Sequence, residues 1–131
     1  MSQAREGLVY GTAALRAAAR GDRMVWALHR AALATGIVPV VPAGAVADAY
    51  RSEGRVDRLE QLLAGAEVEP LADERARRIG ELAARADTTD LVAVAVAESA
   101  ARNGAAVVAS RQNALRAAAG LLGHDVVLYG V

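Results

Sequence analysis

Thr88-Thr89-Asp90-Leu91-Val92-Ala93-Val94-Ala95-Val96-Ala97-Glu98-Ser99-Ala100-Ala101-Arg102-Asn103-Gly104 is the stretch on which the fold turns, because its centre alternates with period two and its ends do not. Period alone reads Leu91 to Ala97 as a strand. The flanks read otherwise: Thr88, Thr89 and Asp90 supply an N-terminal cap, and the segment runs on through Glu98 to Arg102 before stopping at Asn103-Gly104. A buried Ala/Val helix from Leu91 is therefore expected, followed by a strand at Ala105–Ala109.

Working outward, short β-branched runs alternate with longer Ala/Leu/Arg segments. This alternation signals an α/β fold: a central, mostly parallel sheet of four or five strands with helices on both faces. Leu8-Val9-Tyr10 reads as the first strand. Thr12 is placed to cap a helix from Ala13 to Arg20 that stops at Gly21, and Asp22 to cap a second helix with Val25, Leu28, Ala32 and Leu33 on one face. Ile37-Val38-Pro39-Val40-Val41 reads as a strand with Pro39 marking an edge-like or irregular position. Pro42 suits the first turn of a helix from Ala43 to Arg51, and a further helix spans Arg55 to Ala64. Ala66 to Pro70 is a short strand. Asp73 begins a helix ending near Asp87 that turns Ile79 and Leu82 inward. Asn113 to Leu122 is a helix closed by Gly123, and Asp125 to Tyr129 is the last strand.

The 131 residues suit one domain, which buries roughly two thirds of the surface its unfolded chain exposes. Fifteen basic residues, all Arg, balance fifteen acidic ones, so no global field argues for a nucleic acid or an anionic membrane. The absence of Cys removes disulfides, thiol catalysis and cysteine metal sites. No apolar run approaches the roughly 20 residues that span a bilayer, and Met1 to Gly7 lacks the pattern of a signal peptide. A soluble, cytoplasmic chain is expected.

Four pieces in order, Leu8 to Leu15, Val38-Pro39-Val40-Val41-Pro42-Ala43 leading to Asp48-Ala49-Tyr50-Arg51, Leu82 to Asp90, and Ala106-Val107-Val108-Ala109-Ser110, resemble the PIN-domain family. Within it the chain looks like the compact VapC-type ribonuclease toxins, and the resemblance runs essentially end to end. The resemblance implies four acids that hold one or two Mg²⁺ or Mn²⁺ ions, hard cations that need oxygen ligands for phosphodiester hydrolysis. Carried over by position, those acids fall on Gly11, Asp48, Ala93 and Arg111, so only Asp48 is acidic. Three negative charges are missing and one positive charge is added, a swing of four units. No metal or other cofactor is therefore expected, and no catalytic residue is assigned.

Asp90 lies one helical turn before Ala93 and serves either as the helix cap or as a substitute ligand. Asp48 is either a cleft acid or a solvated helix residue. Arg111 either reaches the cleft to pair bidentately with Asp48 or Asp90, or is an exposed arginine at a strand end. Thr12 and Ser110 complete the residual cleft as caps or hydrogen-bond donors, since no His–Asp partner activates either hydroxyl. His29 and His124 lack acids at ligand spacing and read as structural or exposed. Gly11-Thr12 lacks the spacing of a phosphate-binding loop. Trp26 belongs with the core stripe.

The leading functional expectation is a toxin-like pseudoenzyme acting through protein contacts, as a homodimer or with an antitoxin-like protein. The alternatives are a Mg²⁺- or Mn²⁺-dependent endoribonuclease of a toxin–antitoxin system using Asp48, Asp90 and Asp87, and a module that holds RNA through Arg111 and other arginines without cutting it.

Overall fold

The computed structural model describes residues 7–131. Among these, five strands form one all-parallel sheet in the order β3-β2-β1-β4-β5, and seven helices connect and cover them. The class is α/β. The strands are β1 (Gly7–Tyr10), β2 (Val40–Pro42), β3 (Glu67–Glu69), β4 (Ala105–Ala109) and β5 (Leu128–Gly130). The helices are α1 (Thr12–Ala19), α2 (Arg23–Ala34), α3 (Ala43–Ser52), α4 (Asp57–Ala64), α5 (Asp73–Arg85), α6 (Leu91–Asn103) and α7 (Asn113–Leu121). None of the described helices is long and apolar enough to cross a membrane.

Successive residues of the central strands face opposite layers, as the two-residue period requires. Val9 and Val107 enter a core with Ile79, Leu82, Val94, Ala97 and Leu115, from α5, α6 and α7. Tyr10 and Val108 enter the other, with Leu15, Val25, Ala45, Leu59 and Leu62 from α1 to α4. Each of these fully buried leucines contributes on the order of 2 kcal/mol relative to an exposed one. Every residue of β4 is buried, so that strand reads as a continuous apolar run.

The stretch from Leu91 to Asn103 is a helix. Asp90 accepts a hydrogen bond from the Ala93 backbone N–H at 3.1 Å, and Gly104 ends the helix with φ +59°. Its helical period is hidden because Ala93, Val94 and every residue from Val96 to Ala100 are buried. A helix surrounded by protein needs no polar stripe.

Several boundaries depart from expectation. β2 begins at Val40 rather than Ile37 and is an interior strand paired with both β1 and β3. Pro39 lies just before it, where its missing N–H costs no ladder bond and its carbonyl accepts from Glu67 N at 2.8 Å. Pro42 ends β2 and is the N-cap of α3 rather than a first-turn residue, and Gly11, not Thr12, occupies the N-cap of α1. α4 starts at Asp57 rather than Arg55, whereas α5 begins at Asp73 as expected. β5 starts at Leu128 rather than Asp125. On α2, Leu33 is 42% exposed and His29 takes the buried place on that face.

His29 is 3% exposed and its Nδ1 lies 2.8 Å from the hydroxyl of fully buried Tyr10. Burial, then the charge of Arg30, lowers the imidazole pKa from 6.5, while burial pushes the Tyr10 phenol up, so both groups of the pair are neutral and share one hydrogen bond. Tyr10→Phe leaves a buried ring nitrogen without its partner and is expected to cost about 1–2 kcal/mol in urea denaturation. Because the folded imidazole titrates below the unfolded one, its contribution to stability is complete above pH 6.5 and falls as the pH drops below that value. A urea midpoint unchanged between pH 7.5 and pH 5.5 would contradict this placement of His29.

Candidate functional site

From β1 the chain moves outward to β2 and β3, then returns to the other side of β1 for β4 and β5. The direction of winding reverses between β1 and β4. Connections leave the two strands in opposite senses there, opening a crevice beyond their carboxyl ends where parallel α/β sheets commonly bind ligands. Gly11 and Thr12 follow β1, Ser110 follows β4, and the amino end of α6 and the middle of α3 complete the walls. The resulting cleft of about 160 Å³ is lined by Thr12, Arg16, Asp48, Asp90, Ala93 and Ser110, among others.

The fold thus gathers most of the residues singled out from the sequence. Both cleft carboxylates already have partners. Asp90 caps α6 through Ala93 N. Asp48 accepts a long hydrogen bond from the Thr12 hydroxyl at 3.4 Å and lies 3.9 Å from Arg51 Nε, one turn along α3. The floor is closed as well as neutral. A Cβ built on Gly11 would stand 2.9 Å from Ala109 Cβ, a contact that cannot exist without movement of β1 or β4. Gly11 is small because the strands approach closely at this point.

Arg111 does not join the site. It is exposed, lies outside the cleft lining, and forms no ion pair with Asp48 or Asp90. The cation on the cleft wall is instead Arg16, four residues after Thr12 on the same face of α1. Its Nε is 3.6 Å from Glu53, which Arg20 grips with two bonds at 2.9 and 3.1 Å. The Arg20 hydrogen bond chiefly holds the Glu53 carboxyl below its ordinary pKa. Helical spacing from Thr12 was the available signal for Arg16. Asp87 is also elsewhere: it takes φ +54° at the end of α5 and lines a separate surface hollow with Thr88 and Thr89.

Among the described residues no group of three or more His, Asp and Glu side chains is arranged to hold a metal ion. Two engaged carboxylates beside Arg16 and Arg51 do not fit the oxygen-rich coordination that Mg²⁺ or Mn²⁺ requires. His124 sits far along the chain in a structural role, 3.2 Å from the Ala105 carbonyl.

A larger concavity, about 930 Å³, lies elsewhere, along β3, α5 and the end of α6. Most of its charges bind one another, with Glu67 and Glu74 outside the paired group. Arg102 reaches Glu69 at 2.9 and 3.0 Å and Glu98 at 3.0 and 3.1 Å, Ser99 donates to Glu69 at 2.8 Å, and Arg78 stands 3.4 Å from Glu98. Glu98 is 3% exposed. Burial pushes the Glu69 carboxyl up, but the bonds from Arg102 and Ser99 and the charges of Arg102 and Arg75 outweigh it and hold the pKa at about 2. The paired group of Glu69, Glu98, Arg75, Arg78 and Arg102 ties β3 and α5 to α6. Only the Glu98–Arg102 pair, four apart on one helix, was visible as a sequence pattern; Glu69 is brought in by the sheet.

No protein-family model matches this chain, and no curated protein matches it in sequence.

Proposed function

We propose that the chain is a PIN-like domain that has lost most of its metal-binding acids and works as a non-catalytic, toxin-like pseudoenzyme through contact with protein. The observation that carries this reading is the composition of the crossover cleft: Gly11, Ala93 and Ser110 around two carboxylates that are committed to Thr12, Arg51 and the α6 cap. Contact with a protein partner, an antitoxin-like chain or a second copy, is supported by an apolar hollow of about 160 Å³ beside the cleft. Ile79 and Ala95 form its base, and Leu71 and Leu91 on its rim are 56% and 54% exposed. Exposed leucines around an apolar hollow are a common mark of a binding surface.

Calorimetric titration with Mn²⁺ is expected to give no saturable binding at micromolar concentrations. Structured RNA incubated with the protein and Mn²⁺ is expected to remain intact, to the same extent with Asp48→Asn. A second reading, a metal-dependent endoribonuclease with an altered site, is favoured by one fact: Asp48 and Asp90 line the same cleft. Cleavage by the native chain that Asp48→Asn abolishes would establish that second reading and overturn the first.

A further inference from the structure

A second face of the molecule gathers three arginines, Arg23, Arg30 and Arg58, around one concavity. Arg23, Trp26 and Arg30 recur at three and seven residues along α2, and Arg58 and Gln61 recur at three along α4, so each set projects from one side of its helix. The two sets meet across the α1–α2 turn at Gly21 and enclose a concavity of about 320 Å³. Arg23 and Arg30 lie about 10 Å apart along the helix. Among the described residues no carboxylate stands within ion-pair distance of Arg23, Arg30 or Arg58, whereas Arg16, Arg20, Arg51, Arg75, Arg77, Arg78 and Arg102 are all paired. Asp22, next to Arg23 in sequence, is used in capping α2 through Val25 N.

The fold fixes Trp26 and brings Arg58 against the α1–α2 turn. The Arg58 guanidinium lies over the turn at Gly21, where a Cβ would stand 2.7 Å from its Nη1. The Trp26 indole donates from Nε1 to the Ala18 carbonyl at 3.0 Å and packs edge-on against His29, with ring centroids 5.7 Å apart. In a chain of zero formal net charge, three guanidiniums in one concavity, none in an ion pair among the described residues, make a local site of positive potential.

We infer that this groove binds an oligophosphate anion, either free or carried by a nucleotide. Guanidinium forks match phosphate oxygens bidentately, and three of them around one hollow suit two or three linked phosphates better than a single carboxylate. Trp26 offers an apolar wall, and the Gln61 amide both donates and accepts, which suits the edge of a base. The inference is independent of whether the crossover cleft is catalytic.

Trp26 is the only tryptophan of the chain and reports on the groove directly. Inorganic triphosphate, ADP, adenosine and a short single-stranded oligoribonucleotide are titrated into the full chain at moderate salt, followed by Trp fluorescence and by calorimetry. Saturable binding of triphosphate, of ADP, or of both is expected; triphosphate alone assigns the free anion, and tighter binding of ADP assigns the nucleotide. Each lost charged contact is expected to weaken binding about tenfold, in Arg58→Ala and independently in exposed Arg30→Ala, while Arg85→Ala on α5 leaves it unchanged. Circular dichroism confirms that each variant is folded. Failure of both phosphates to bind, binding by the oligoribonucleotide alone, or equal weakening by Arg85→Ala would overturn the inference.

Discussion

Arg102→Ala is expected to lower the unfolding free energy at neutral pH by about 1–3 kcal/mol, between the cost of an exposed and of a buried pair, because Arg102 is 34% exposed while Glu98 and Glu69 are 4% and 11% exposed. The variant leaves Glu98, 4% exposed in its side chain, with Arg78 at 3.4 Å, and leaves Glu69, 11% exposed, with Ser99 and a more distant Arg75 at 3.8 Å. Arg102→Lys is expected to recover only part of the loss, because an ammonium cannot present two forks to two carboxylates. The effect has a pH signature. Glu69 has a folded pKa of about 2 against an ordinary 4.5, so its contribution is fully present above pH 4.5 and is lost as the pH falls from 4.5 towards 2. Removing Arg102 raises the folded value, so the gap in stability between native and variant is expected to close across that window. A gap that persists unchanged at pH 3 would show that Arg102 acts through packing of its aliphatic stem and not through charge.

The second large effect is a gain. If the crossover cleft is a metal site emptied of its acids, Gly11→Asp, Ala93→Asp and Ala109→Gly together are expected to produce saturable Mn²⁺ binding in calorimetry where the native chain gives none. Ala109→Gly is required. Gly11→Asp alone forces a Cβ to within 2.9 Å of Ala109 Cβ and is expected to destabilise by about 1–3 kcal/mol, as overpacking of a buried contact does. Ala93→Asp places an acid in the first turn of α6, where the free N–H groups and the helix dipole favour it. A folded triple variant that still ignores Mn²⁺ would remove the main support for the PIN-like reading of the cleft and leave the α/β fold untouched.

Where the sequence was legible, a local interaction wrote the structure. The caps at Asp22 and Asp90 each bond to an N–H three residues on, and Gly104 stops α6 immediately. These need no knowledge of the rest of the chain. The errors fall where a distant neighbour decides. β2 was placed three residues early because Ile37 and Val38 have strand propensity, yet the parallel partners Val9 and Glu67 set its register at Val40. For His29 the sequence leaves a structural and an exposed reading open, and Tyr10, nineteen residues earlier, decides for the structural one by supplying the bond that makes burial tolerable. Arg111 was weighed as a cleft cation on its place after β4, and the chain path turns it outward while α1 brings Arg16 in.

By itself, then, the sequence determined the alternation of strands and helices and the caps at Asp22 and Asp90, since these follow from residue type and spacing along the chain. Tertiary structure alone decided the strand order, the close approach of Gly11 to Ala109, the partners of Asp48, the binding of Arg102 to Glu69, and the meeting of Arg23, Arg30 and Arg58. The physical reason is the same in each case. Backbone hydrogen bonds of helices and caps span three or four residues, whereas charge and steric contact act through space and take their partners from wherever the packed sheet delivers them.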